Sequence, residues 1–251
     1  LTIHVNGVNM ISVKTPQTPE RGRYHHGDLR NALVETAARL VAERGPEGFS
    51  LREAAREVGV SPGAAYRHFA DKAALLVALA IDGHARLATA LERSIAKLPA
   101  PGTAGHAVAS LEATGLAYVE FALANPSHFR VMFGPCVEAE GFEPGCAASG
   151  RDAYQILSDV LDALVAREVI PAPARAGAEI VAWSAVHGFA SLLVDGAVPL
   201  GPRERAAVLR GLNRTLLLGW GASPRRLPPA PEGTVDTDPR AAAQRKRRPR
   251  A

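Results

Sequence analysis

Aromatic residues make up only 5% of this chain, and its 251 residues include just two cysteines and two methionines. With so few rings, a hydrophobic content of 47% implies an aliphatic, alanine-rich core of the kind packed helices build. Two thiols, Cys136 and Cys146, make an incomplete zinc set, and a redox switch is the alternative to inert thiols because thiols of one loop can meet. Each follows a Gly/Pro turn, with Arg130 and Arg151 the closest basic residues, so nothing lowers a thiol pKa and both read as inert. Catalytic signatures are missing too. There is no Gly-x-Ser-x-Gly elbow, no phosphate-cradling glycine loop and no His-Glu-x-x-His pair, and His84, His106, His128 and His187 are scattered singly. The chain therefore reads as a non-enzyme without a cofactor. His25, His26 and Asp28 are adjacent ligand types with no distant partner, a poor cage, so no metal is expected. No stretch reads as long enough to span a bilayer, and the start at Leu1, with Met10 as an alternative, lacks the basic-then-apolar pattern of a secretory signal. These absences predict a cytoplasmic protein with no membrane partner.

Charge is unevenly placed. The pI is near 9.4 and the net charge +4. From Pro224 onward, however, eight basic residues (Arg225, Arg226, Arg240, Arg245, Lys246, Arg247, Arg248 and Arg250) face three acidic ones (Glu232, Asp236 and Asp238), a surplus larger than that of the whole chain. The part before this tail is close to neutral, so a nucleic-acid reading has to rest on a specific motif.

Such a motif runs from Tyr24 to Lys72. Asp28 stands where a helix N-cap belongs, and Leu29, Ala32, Leu33, Thr36, Ala37, Leu40 and Val41 recur at helical spacing until Gly45 and Pro46 end the run. Phe49 is an apolar plug before a second cap, Ser50, and Glu53 three residues on completes a capping box. Leu51, Ala54, Ala55 and Val58 form that helix's buried face. Gly59 supplies a left-handed exit, Val60 tucks into the angle, Ser61 caps again, and Pro62 occupies the first helical position, where its missing N–H costs nothing. On the short third helix Ala65 and Phe69 point to the core, leaving Pro62, Gly63, Ala64, Tyr66 and Arg67 directed outward. Gly63 and Ala64 are small enough to let the backbone approach base edges. Tyr66, Arg67 and His68 offer donors to phosphates or bases, and Arg67 can grip a guanine edge with two parallel hydrogen bonds. Asp71 caps a fourth helix whose Lys72 would reach a phosphate.

The run Val-Ser-Pro-Gly-Ala-Ala-Tyr-Arg-His-Phe from Val60 to Phe69, followed by Asp71 and Lys72, closely resembles the helix-turn-helix of the TetR family of bacterial transcription regulators. Strong resemblance covers roughly Tyr24 to Leu75. Trp183, His187 and Gly188 are similar to the Trp-His-Gly signature of one C-terminal subclass. The resemblance implies an all-α homodimer whose N-terminal three helices bind a palindromic double-stranded operator and whose larger C-terminal domain binds a small-molecule effector that releases it. It also implies DNA contacts at Ser50, Arg52, Pro62, Gly63, Ala64, Tyr66, Arg67, His68 and Lys72. Ser61 joins them as the cap. Arg21, Arg23 and Tyr24 read either as a groove-following arm or as a solvated lead-in.

The expected organisation is a disordered extension over 1–20, a helix-turn-helix domain over 21–72, an effector-binding and dimerisation domain over 73–221, and a disordered basic tail over 222–251. In the third segment, helices are expected to Pro99, over 104–125, 149–168, 174–196 and 202–220, with one short turn over 128–133 and an irregular loop over 134–145. The last two are apolar on more than one face and read as the dimer seam. Phe121, His128, Phe129, Met132, Phe133, Trp183, His187 and Phe189 are the candidate pocket residues, although Trp183 and His187 share a helical face and also suit plain packing. Repression is the favoured direction of control. The rivals are an activator of the same family and a sequence-indifferent DNA coat acting through the basic tail.

Overall fold

Residues 26–134 and 142–229 are described by the structure, a computed structural model. Among them the chain forms nine α-helices and no strand. Helix α1 (His26–Arg44), α2 (Leu51–Val58), α3 (Pro62–Tyr66) and the first half of α4 (Lys72–Ala96) enclose one apolar cluster, the core of a small head. Leu33, Leu40, Leu75 and Leu79 are fully buried there, each contributing roughly 1.5–3 kcal/mol. Small alanines at 37, 54, 55 and 65 let the helices approach closely.

Several expectations about the head are met and two are corrected. Ser50 Oγ accepts from the Glu53 N–H at 3.2 Å, Ser61 Oγ from the Ala64 N–H at 3.3 Å and an Asp71 carboxylate oxygen from the Ala74 N–H at 2.8 Å. Gly59 lies in the left-handed region with φ 81°, which a β-branched residue resists. The capping box at Ser50, by contrast, closes on one side only. The Glu53 carboxylate turns to the Arg44 guanidinium at 2.6 Å, and that bond holds it below the usual carboxylate range. Asp28 does not precede α1 but falls inside its first turn, because the helix begins at His26. An acidic residue suits both positions, as cap or as partner to the helix dipole, so its type alone does not fix the boundary.

The second half of α4 continues into a body made with α5 (Ala104–Ala124), α6 (Pro126–Met132), α7 (Ala153–Ala166), α8 (Ala178–Val194) and α9 (Pro202–Gly219). Helix α5 is the axle, in contact with α4, α6, α7, α8 and α9. Pro126 does more than close α5. It opens α6 at the first helical position, so 126–132 is a true helix, not the single turn expected. Helix α7 starts later than expected, because Asp152 and Gln155 form a full capping box while Ser149 turns to Glu92. The residues after Pro171 form a 3-10 turn over Ala172–Arg175, which delays α8 to Ala178.

Helices α4 and α5 are in fact long and apolar enough to cross a membrane, which corrects the expectation from the sequence. Half of each apolar window is buried inside the fold, where it builds the clusters around Leu87, Leu91, Val119 and Leu111.

Helix α6 joins the two regions. Its Val131 lies in the head cluster, whereas Phe129 and Met132 lie in the body cluster. The fit against α4 is close: a Cβ on Gly83 would sit 2.6 Å from Met132 Sδ and 3.1 Å from His128 Cβ. His128 Nε2 meets Asp82 Oδ2 at 3.2 Å, and Arg86 Nε donates to the same oxygen at 2.6 Å. This contact with His128 is the main cause that holds the Asp82 carboxyl below its ordinary value.

Candidate functional site

The outward side of α2 and α3 carries a compact polar surface. Ser50, Arg52, Ser61, Pro62, Gly63, Tyr66 and Arg67 are all exposed, His68 is half-buried, and Tyr66 is 44% open although it is a large ring. Arg52 and Arg67 have no ion-pair partner among the described residues, whereas Arg39 and Arg44 are committed to Glu57 and Glu53 and bind α1 to α2. Two guanidiniums are thus left with all their donors to offer, as phosphate and base recognition requires. Gly63 is informative for what surrounds it. A Cβ there would meet nothing within 4 Å, so nothing inside the fold demands a small residue at that point.

Two expectations for this surface change. Ala64 is not outward but buried at 9% exposure within the head cluster. Ala64 belongs to the cluster formed with α1, α2 and α4, so on this five-residue helix its methyl counts with the core. Lys72 is half-buried, and its Nζ lies 2.7 Å from the carboxylate of Glu47 in the loop after α1. An approaching phosphate has to compete with that carboxylate, itself nine-tenths exposed. Arg21, Arg23, Tyr24 and His25 lie outside the described residues, as do Cys136 and the basic residues beyond position 229. Cys146 is exposed as a free thiol whose nearest polar contact is the Pro144 carbonyl at 3.7 Å. Among the described residues no group of three or more His, Cys, Asp or Glu side chains is placed to hold a metal.

The body contains a cavity of about 360 Å3, at the lower end of the range for small-molecule sites, roughly 300 to 1,000 Å3. Of the eight candidate pocket residues, Met132, Phe133 and Trp183 line it. His187 stands behind that wall. The Trp183 indole N–H donates to the Tyr118 hydroxyl at 3.2 Å, and the same hydroxyl meets His187 Nδ1 at 2.8 Å. The hydroxyl can donate to Nδ1 when the imidazole is neutral and that nitrogen carries no proton. Burial favours that state by lowering the His187 pKa. Phe129 and Phe133 pack on the His187 ring with centroids 5.1 and 4.7 Å away. Phe121 and Phe189 are core residues of the body, and His128 is directed to Asp82 between α4 and α6.

Sequence reasoning missed most of the polar lining, which includes Thr114, Asp152 and Tyr154, and three of the missed residues are informative. His84, on α4, is placed with its Nε2 3.3 Å from the Met132 carbonyl, and burial pushes its pKa down. Tyr118 is buried on α5, and desolvation pushes its phenol well above the ordinary range. Asn213 is the third. It is 4% exposed, and its Nδ2 is the one buried side-chain nitrogen or oxygen among the described residues with no hydrogen-bond partner. An unmade buried bond of this kind costs roughly 1–3 kcal/mol. A signal was present: Leu209, Asn213 and Leu217 recur every four residues, and all three are buried, so an amide interrupts an apolar stripe.

Comparison with known proteins fits this geometry. Residues 33–79 match the family model for bacterial regulatory proteins of the tetR family, and residues 111–216 match one for a tetracyclin repressor-like C-terminal domain. A protein of unknown function from Rhodococcus sp. RHA1 is similar over 79% of this chain and 98% of its own, at 31% identity and TM-score 0.65. The TetR family regulator PfmR from Thermus thermophilus shares the fold at 21% identity and TM-score 0.54, over 72% of this chain and 97% of its own. A second tetR-family regulatory protein, from Rhodococcus RHA1, does so at 20% identity and TM-score 0.54, over 77% and 97%. With a helix-turn-helix head, a helical body and both halves of the family pattern in one chain, the protein belongs to the TetR family of bacterial transcription regulators.

Proposed function

We propose that this chain is a ligand-responsive, sequence-specific repressor that binds an inverted-repeat operator as a homodimer and leaves it when a small hydrophobic molecule fills the body cavity. The observation that carries the reading is that one helix serves both sites. Helix α4 presents Lys72 beside the outward surface of α3 and, further along, His84, Leu87 and Leu91 to the cavity. A molecule pressing on Met132 and Phe133 acts on α6, whose Val131 is embedded in the head. It shifts the equilibrium only by its differential affinity for the two placements of the heads.

Dimerisation follows from the size of the reader, because one short helix contacts only a few base pairs. Two heads about 34 to 36 Å apart would read the two halves of the repeat. The apolar surface for such pairing is on the last two helices. Ile180, Val181 and Leu192 of α8 and Leu218 of α9 are each between about a third and a half exposed. The place of action is the cytoplasm, where the duplex is.

The test is an unbiased selection of random duplexes by the purified full chain, followed by a footprint on the selected site and a reporter placed behind it. Enrichment of an inverted repeat, with transcription lowered by the protein, supports the reading; raised transcription would make it an activator. Removing the residues after Ser223 should leave operator preference intact. Loss of all binding on that truncation, with no preference among duplexes beforehand, would instead favour the DNA-coating alternative.

A further inference from the structure

The lining of the body cavity carries charge of one sign only. No lysine or arginine is among its residues, and Asp152 is its one carboxylate. Asp152 is half-buried and forms no ion pair among the described residues, and its neighbour Arg151 is committed to Glu92 and Asp159. Only Oδ1 is used in capping α7, where it accepts the Gln155 N–H at 2.8 Å. Oδ2 accepts from no described residue, yet it is not sealed in, because the one enclosed side-chain nitrogen or oxygen without a partner among the described residues belongs to Asn213. The charge is felt by the lining itself: the Asp152 carboxylate acts on the ring of His84, another lining residue, and works against the burial that lowers its pKa. Burial prevails, so at pH 7 His84 adds an aromatic face and no positive charge. Two more rings of the lining stand against it, Phe133 and Phe142, with centroids 5.5 and 5.8 Å away. A carboxylate and a group of rings in one lining, with no basic residue to neutralise them, suit a positive charge, because ring faces attract it and the carboxylate compensates it.

Resting on the regulator reading above, we infer that the cavity takes an amphipathic monocation, its ammonium-type head received by Asp152 and the rings of His84, Phe133 and Phe142 and its hydrocarbon body lying along Leu87, Leu91 and Leu111. A neutral molecule with the same body gains only the apolar surface. An anion loses its hydration on entry, meets no counter-charge and is repelled by Asp152. A quaternary ammonium has no N–H to leave unpaired, so ring faces and one carboxylate are all the recognition it needs.

The experiment uses the full chain with Trp220→Phe, so that fluorescence reports Trp183 in the cavity wall alone. Octyltrimethylammonium, octan-1-ol and octanoate are titrated at pH 7 as probes that share a hydrocarbon body and differ in charge. The cation should bind about tenfold or more tighter than the alcohol, a gain expected of ring and carboxylate contacts in a shielded site, and the anion should bind weakest. Asp152→Asn keeps a side chain that caps helices and removes the charge, so it should lower the ratio of cation to alcohol affinity by about fivefold or more. Should that variant fail to fold, Phe142→Leu, which removes a ring and keeps apolar bulk, should lower the same ratio about threefold. Equal binding of cation and alcohol, tightest binding of octanoate, no binding of any probe, or a ratio unmoved by the folded variant overturns the inference. A chain that still selects an inverted repeat after such a result keeps its regulator reading. One that ranks the cation first but prefers no duplex keeps the site and loses the regulator.

Discussion

The head and the body answer the same packing problem in opposite ways. In the head, alanines and leucines close the interior, the caps of α2, α3 and α4 each accept an N–H, and the outward face is left with unpaired guanidiniums at Arg52 and Arg67. In the body, the helices stop short of closing and leave a hollow with an enclosed amide that has no partner. The head is thus complete before it meets anything and offers its chemistry outside. The body keeps its unmet chemistry inside. The proposed ligand-responsive mechanism uses both, because a closed reader would carry a shift that begins at the cavity.

The comparison can be broken most forcefully at the head core. Leu40→Ala should cost about 2–5 kcal/mol in a denaturant melt and carry DNA binding down with it, since the site has no slack to collapse into. Unchanged stability would mean the head is not closed in the way described. Gly59→Val should cost roughly 1–3 kcal/mol through the left-handed backbone alone. A variant with native melting and binding would displace the turn from this position. Arg67→Ala should leave melting alone and cost about 1 to 3 kcal/mol in binding, concentrated at one base pair of the operator. A uniform loss over all sequences, read by competition with single-position variants, reassigns it to phosphate.

Acidification separates the two regions more gently. Burial holds His84 and His187, both in or behind the cavity wall, neutral below their ordinary pKa of 6.5. As pH falls through that value the unfolded chain takes up protons that the folded chain resists, so stability present above it declines on acidification. The melting temperature should drop from pH 7 to pH 5, and His187→Gln should flatten the drop. An unaltered slope would place the titrating groups elsewhere. The smallest effect belongs to Lys72→Ala, which loses an exposed pair with Glu47 worth about 0–1 kcal/mol. Its mark should be a salt dependence of DNA binding shallower by about one charge. A slope identical to that of the unaltered chain would leave Lys72 paired to Glu47 when DNA is bound.

The head was the more legible region. Its signals are caps, a turn glycine and stripes of period 3.6 within a single short run, so each is read against neighbours in sequence. The errors there, at Asp28, Glu53 and Ala64, are local choices between near-equal positions, settled by Arg44 in one case and by neighbouring helices in another. The cavity was legible only in Met132, Phe133 and Trp183. Tyr118 and Asn213 come from helices nearly a hundred residues apart, and neither carries a local mark of a pocket. Only the buried stripe Leu209, Asn213 and Leu217 gave a hint, and its meaning depends on what faces it.

Sequence alone determined the long helices, the caps of α2, α3 and α4 and most of the residues on the head's outward surface, because those follow from backbone hydrogen bonding and spacing over a few turns. Tertiary structure decided which apolar faces meet, that α6 divides its side chains between head and body, and that a hollow opens between α4, α5, α7, α8 and α9. A void is the space several distant surfaces fail to fill, so no single segment encodes it; it exists only once all of them have been brought together.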